Sequence, residues 1–331
     1  MRTLAESSHA FAALDLTVRK RLAGLLHGDH EGLRLGSGSD PDEVVRYRPG
    51  EDDVRRIDWN VTARSAETHV WRTRAQHEVE TWVLVDETAS MDFGTVEVEK
   101  ADLATWVTGA VGLLSEGPGN RMGVAHLRGD GVAWSSPLPP RRAAVRAMRA
   151  GPAPTATEPT RKPAPEHASE HASEHASGPA VGLGQAIALL DARHRRPGVR
   201  VIVSDFVEPD GRTERPFPWE ASLRRLAVRH DVLVVEVVDP RELSLPDVGT
   251  VVLVDPETGH RCEVWTSLPR IREQYAALAS SHRTAVAEAV HASRAHHLPL
   301  STDRDWVVDL ARFVNHQRLP RHGGRRPGSP R

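Results

Sequence analysis

Val79-Glu80-Thr81-Trp82-Val83-Leu84-Val85 runs directly into Asp86-Glu87-Thr88-Ala89-Ser90, and the junction of these two stretches decides how the chain folds. The first closes as an unbroken apolar run, the pattern of a strand buried on both faces. The second opens a polar loop that extends to Thr95. Beyond it Ala104, Val107, Val111 and Leu114 recur at helical spacing, and Gly117-Pro118-Gly119 stops the helix. Strand, loop and helix in that order are the opening unit of an α/β sheet.

Downstream, Arg121 to Leu138 reads as two strands around the turn Arg128-Gly129-Asp130-Gly131. Asp-Gly between alternating strands is a hairpin signal, which we prefer over an adhesive reading of the Arg-Gly-Asp tripeptide. A helix is expected over Arg141–Arg149 and another from Val181 to Arg193. Val199–Val203 forms a second strongly apolar strand, ending in Ser204-Asp205-Phe206. A helix over Trp219–Arg229 leads into a third apolar strand, Val232–Val238, and two short strands flank Pro256-Glu257-Thr258-Gly259. A long helix covers Ile271 to Ala295 and a last one follows Asp305. Helices alternating with continuous apolar strands predict a Rossmann-like α/β fold, a mainly parallel sheet with helices on both faces.

This divides the chain into an N-terminal amphipathic helix (1–30), a segment that packs on the main domain (31–75), and the domain itself (76–150 and 179–317). Between the two halves of the domain lies a low-complexity stretch (151–178) that repeats Glu-His-Ala-Ser three times from Glu166 to Ser177. On a helix His167, His171 and His175 would share a face and could hold a transition metal. With almost no apolar residue to fold around, a solvated linker is the better reading. The Arg-, Pro- and Gly-rich tail (318–331) reads as disordered.

Hydrophobic residues at 39% and charged residues at 27% are ordinary for a soluble globular protein, and a net charge of -2 argues against a general affinity for nucleic acid or anionic membrane. The basic residues are nearly all arginine, which reads as coding bias. Cys262, the only cysteine, excludes an intrachain disulfide and fits a reducing compartment. Its place in an alternating strand, Arg261-Cys262-Glu263-Val264-Trp265, favours a structural role over a nucleophilic one. The first 30 residues show no secretory pattern, and no run of about 18 apolar residues occurs. A cytoplasmic location is expected.

Ligands of a doubly wound sheet gather where the carboxyl ends of its strands meet the loops. Two apolar strands end there in aspartate, Asp86 and Asp205. If those strands are neighbours, the carboxylates approach one another, and Thr88 and Ser90 can turn their hydroxyls to the same point. Such hard oxygen donors suit Mg²⁺, Mn²⁺ or Ca²⁺. The competing account is that Asp86 and Ser90 only cap the following helix.

Upstream, Tyr47-Arg-Pro-Gly50-Glu-Asp-Asp53-Val-Arg55-Arg-Ile57-Asp58-Trp59, continuing to Thr62-Ala63-Arg64, resembles the signature of the domain of unknown function 58 family. In that family it precedes a von Willebrand A-like domain that opens with Asp-x-Ser-x-Ser and Met, as Asp86 to Met91 does here. Gly119-Asn120-Arg121, Ser204-Asp205-Phe206, Asp239-Pro240-Arg-Glu242 with Leu245-Pro246, Asp255–Gly259 and Leu300-Ser-Thr-Asp303 also match. The resemblance implies a metal-ion-dependent adhesion-type site at Asp86, Thr88, Ser90 and Asp205, with Mg²⁺ or Mn²⁺ as its cation. It also implies a partnership with a MoxR-type AAA+ ATPase and a client protein. Two departures stand out. Thr88 replaces a serine and keeps the hydroxyl, whereas Val181 stands where the family places a threonine, so the cation is expected to bind weakly or not at all.

Arg55, Asp58, Trp59 and Arg64 admit two roles. Asp58 and Arg64 pair to seat the segment, with Trp59 as an apolar anchor, or the four meet a partner directly; we favour the first. The expected function is a non-enzymatic protein-binding module. Its alternatives are a metal-dependent hydrolase, for which Asp92 and His126 are the nearest candidate bases, and a metal-free structural adaptor.

Overall fold

The computed structural model describes residues 43–49, 54–65, 67–72, 78–96, 98–150, 181–254 and 261–318. The expected N-terminal helix, the 151–178 linker, the Pro256–Gly259 turn and the tail beyond Arg318 lie outside the described residues.

The strands are β1 (Glu43–Arg46), β2 (His69–Arg72), β3 (Glu80–Asp86), β4 (Arg121–Arg128), β5 (Gly131–Trp134), β6 (Gly198–Ser204), β7 (Asp231–Val238), β8 (Thr250–Val254), β9 (Arg261–Trp265) and β10 (His296–Ser301). Six of them form one sheet in the order β10-β7-β6-β3-β4-β5. Every pairing in it is parallel except β4 with β5, the hairpin. From its first strand outward the chain winds one way through β4 and β5, then crosses to β6 and winds the other way. The order reverses between β3 and β6, which makes their carboxyl ends the crevice of a doubly wound sheet.

Strand alternation sorts the core into two layers. Val83 and Val85 face one side with Val201, Val203, Val235 and Val237, covered by the helices Lys100–Leu114, Pro140–Ala150 and Trp306–Arg318. Trp82 and Leu84 face the other with Ile202 and Val234, beneath the helices Leu183–Arg193, Glu220–Arg229 and Pro269–Ala292. Trp82, Leu84, Val83 and Val201 are each at most 1% exposed, and full burial of such a side chain stabilises the fold by roughly 1.5–3 kcal/mol. Gly123 of β4 is needed for this packing: a Cβ there would lie 2.5 Å from the Trp82 ring.

β10 departs from the expectation, in which the long helix ran on to Ala295. The helix closes at Ala292, and His296–Ser301 adds an edge strand parallel to β7, with Leu298 and Leu300 turned into the core. Pro299 disguises it, because proline lacks a ladder donor and is confined to edge positions such as this one.

β1 and β2 pair antiparallel as a separate two-stranded sheet, extended by the bridge of Ile57 to Val70. Here the expected Asp58–Arg64 pairing is replaced. Asp58 is the N-cap of the short helix Trp59–Thr62, its Oδ1 accepting from the amides of Asn60 (2.8 Å) and Val61 (3.1 Å). Trp59 is no anchor, being 70% exposed. Arg55 and Arg64 are exposed as well. β8 and β9 form a hairpin of their own, with Cys262 exposed on β9.

Candidate functional site

β3 and β6 are neighbours, with Val85 level with Val203, so Asp86 emerges beside Ser204 and one residue short of Asp205. The loop after β3 folds back at once. Asp86 Oδ1 accepts from the Thr88 amide (3.0 Å) and hydroxyl (2.7 Å), and a 3₁₀ turn over Ala89–Met91 follows. That turn brings the Ser90 hydroxyl within 3.3 Å of Thr88 Oγ1 and into a hydrogen bond with Asp205. Asp86, Thr88, Ser90 and Asp205 therefore converge. Neither Asp86 nor Ser90 serves as the cap of the helix Lys100–Leu114, whose N-cap position is Glu99.

The second loop is held by its own first residues. Ser204 Oγ donates to Asp86 Oδ2 (2.7 Å) and accepts from the Phe206 amide (3.0 Å), while Asp205 Oδ1 accepts from the Val207 amide (3.1 Å). Phe206 takes a φ of 57°, sparsely populated for a side chain of its size, and is buried.

Sequence reasoning missed the group that meets Asp205. Lys100, the first residue of its helix, is 1% exposed and places Nζ 2.7 Å from Asp205 Oδ2 and 2.5 Å from Glu242 Oε1. Glu242 belongs to the capping box that follows β7: its Oε2 accepts from the Asp239 amide at 3.0 Å, and Asp239 caps the helix Pro240–Leu243. Three neighbouring strands, β3, β6 and β7, thus end in or beside a buried aspartate, and one ammonium joins two of the loops. The signal was present: only Lys20, Lys100 and Lys162 are lysine among 43 basic residues. Where guanidinium is the default, an ammonium points to a site that needs a compact charge.

Electrostatics follow from this pairing. Burial raises the Asp205 carboxyl, but the Lys100 ammonium outweighs it and holds the group below the ordinary carboxylate range. The same two carboxylates raise Lys100 against the effect of burial. Asp86 has no such counter-ion. Burial, then the Asp205 charge, push it up to about 6 despite the bonds from Ser204 and Thr88. Glu208, in the loop beyond Asp205, is raised to about 7 by burial and then by Asp210.

The candidate bases of a hydrolase do not join the cluster. His126 Nδ1 lies 2.6 Å from Glu87 Oε1, and Arg128 Nε donates to Glu87 Oε2 at 2.8 Å, which turns Glu87 toward β4. Asp92 is exposed.

Two observations decide how these residues suit a divalent cation. The oxygens of Asp86, Thr88, Ser90 and Asp205 are chemically right for one. Yet Val181, where the family resemblance expects a further hydroxyl, is an apolar side chain packed against the core. In addition, the Lys100 ammonium already holds Asp205. On both counts the set fits a resident divalent cation poorly. Among the described residues no group of three or more His, Cys, Asp or Glu side chains is arranged to hold a metal.

Strand order and the oxygen-lined crevice define the class, a von Willebrand A-type α/β domain. The model of the family described as "Protein of unknown function DUF58" matches residues 43–285, and the chain belongs to that family. It is 42% identical over 309 residues to uncharacterized protein Mb1516 of Mycobacterium bovis, covering 93% of this chain and 89% of that one. The figures are the same for uncharacterized protein Rv1480 of Mycobacterium tuberculosis. Among solved structures, BatB from Bacteroides thetaiotaomicron is similar at 14% identity and a TM-score of 0.40, over 72% of this chain and 98% of that one. The SpRpn10 VWA domain is similar at 15% identity and a TM-score of 0.33, over 72% and 95%. The sheet order, not these distant likenesses, carries the assignment.

Proposed function

We propose that the chain is a non-enzymatic protein-binding module that presents the carboxyl end of its sheet to a partner, a MoxR-type AAA+ ATPase or a client handled with it. One observation carries the reading. The two loops that bear Asp86 and Asp205 also expose Phe93 (39%), Val96 (44%) and Val207 (43%) around the buried polar centre. Apolar side chains rimming a recessed polar cluster, on loops pinned by hydrogen bonds, form a preorganised recognition surface rather than a catalytic cleft. The ATPase as partner rests on the family signature at Tyr47–Arg64. Among the described residues no helix is long and apolar enough to cross a membrane.

The test is co-precipitation of the purified chain with a MoxR-type AAA+ ATPase from the same genome, comparing wild type with Phe93→Asp and Val207→Asp. Both variants are expected to lose capture while melting as the wild type does. Undiminished capture by both would remove this face from the interaction.

A further inference from the structure

We propose that the Lys100 ammonium is the resident cation of this site, fixing the Asp86 and Asp205 loops in their binding shape without a divalent metal. This rests on the reading of these loops as a binding surface, but concerns what holds them together.

The argument is one of donors, charge and space. Each carboxylate oxygen in the cluster already has a donor. Asp86 Oδ1 receives Thr88 and Oδ2 receives Ser204. Asp205 Oδ1 receives the Val207 amide and Oδ2 receives Lys100. Glu242 Oε1 receives Lys100 and Oε2 receives the Asp239 amide. Every carboxylate oxygen is thus engaged, and Asp205, whose charge a cation would need, is already paired with the ammonium. A divalent ion bound to Asp205 would sit within about 5 Å of the ammonium, given ordinary cation–oxygen distances of roughly 2.0–2.6 Å. In a buried setting two cations that close repel strongly. The ammonium cannot step aside into water, because Lys100 is 1% exposed and its helix is packed into the core through Leu103, Ala104 and Val107.

Lys100 also reaches further than a single metal ligand. It joins the start of one helix to the end of β6 and to the capping box after β7, elements 105 and 142 residues away in the chain. Phe93 lies over it, with Nζ 5.6 Å from the ring centroid, so the exposed rim of the surface is set by the same charge. Lys100 is accordingly a positioning residue: it is buried, and it decides where Phe93 and the Asp205 loop stand.

The test is calorimetric titration of the full chain with Mn²⁺ and with Mg²⁺, beside thermal melts in EDTA and in Mn²⁺. The wild type is expected to show no saturable heat and one melting temperature in both buffers. Lys100→Met leaves Asp205 and Glu242 without their cation, and is expected to melt lower than wild type in EDTA and to be raised by Mn²⁺. Saturable binding to the wild type that is lost in Asp86→Ala would overturn the proposal. So would a Lys100→Met chain that melts as the wild type does and ignores Mn²⁺. If Lys100→Met does not fold, the wild-type titration still decides, and Lys100→Met with Asp205→Asn supplies a charge-balanced variant expected to fold and to bind no metal. Capture of the ATPase is read separately, so loss of the binding reading leaves this result standing.

Discussion

Thr95 and Asp239 meet through both ends of both groups: the Thr95 amide donates to Asp239 Oδ2 at 2.9 Å and the Thr95 hydroxyl to Oδ1 at 2.6 Å. Thr302, just past β10, adds a third bond to the same carboxylate at 3.0 Å. A single aspartate, fully buried at the end of β7, thus ties down the far end of the loop that begins at Asp86. Asp239→Ala strands these donors and removes a helix cap. It should cost roughly 3 kcal/mol or more, since each hydrogen bond to a buried charged group contributes about 1.5–3 kcal/mol. The check is a urea midpoint that falls without a change in slope, together with faster proteolysis between residues 92 and 99. A loss below about 1 kcal/mol would mean that the loop is held by other contacts.

Falling pH should draw stability from the chain at His230, while Asp86 and Glu208, raised by burial to about 6 and about 7, act in the opposite direction. His230 is driven down to about 4 from 6.5, first by burial and then by the Arg200 guanidinium, and burial lowers His194 and His282 as well. A buried imidazole kept neutral binds its proton more readily once the chain unfolds. At His230 the unfolded state therefore gains its proton first as pH falls, and the contribution of this residue to stability declines from about 6.5 down to about 4, levelling off below. For His230 alone the decline is on the order of 3 kcal/mol. His230→Phe should flatten that part of the pH–stability curve, measured by denaturant melts at each pH; an unchanged slope would assign the acid sensitivity elsewhere.

Gly123→Ala should destabilise the sheet by about 1–3 kcal/mol, the ordinary cost of overpacking a filled core. The added methyl meets the Trp82 ring, which is stacked on His194 with centroids 3.7 Å apart and cannot swing away. Trp82→Phe in the same chain should recover part of the loss. A double-mutant cycle showing simple additivity would contradict direct contact between the two sites.

Asp58 and Trp59, adjacent in sequence, should separate cleanly by experiment. Asp58→Ala removes the helix cap and should lower stability by about 1 kcal/mol. Trp59→Ala removes a side chain that is 70% exposed and should leave the melting temperature unchanged while weakening capture of the proposed ATPase partner. A fall in melting temperature with full capture would return Trp59 to a packing role.

The apolar runs ending at Asp86 and Asp205 were readable because burial on both faces leaves an unmistakable pattern, whereas their adjacency was only a condition until the sheet order supplied it. Asp86, Thr88, Ser90 and Asp205 were within reach of the sequence for the same reason: three share one loop and the fourth ends the next strand of the sheet. β10 was hidden by Pro299, a residue that speaks against strands everywhere except at an edge. Lys100 was hidden differently. Its rarity in an arginine-rich chain marked it, but nothing in the local sequence says it is interior; Asp205 and Glu242, brought from elsewhere in the chain, make it so. The cap at Asp58 was mistaken for an ion pair because a carboxylate near an arginine fits both, and only backbone geometry tells them apart.

The two margins of the main sheet have a consequence for behaviour at high concentration. β5 is four residues long and β10 carries Pro299, so neither margin offers a long uninterrupted row of unpaired amides. Growth by adding a strand from another copy is discouraged at both sides, and the chain can leave its polar crevice and apolar rim open to partners without inviting fibrils along its flanks.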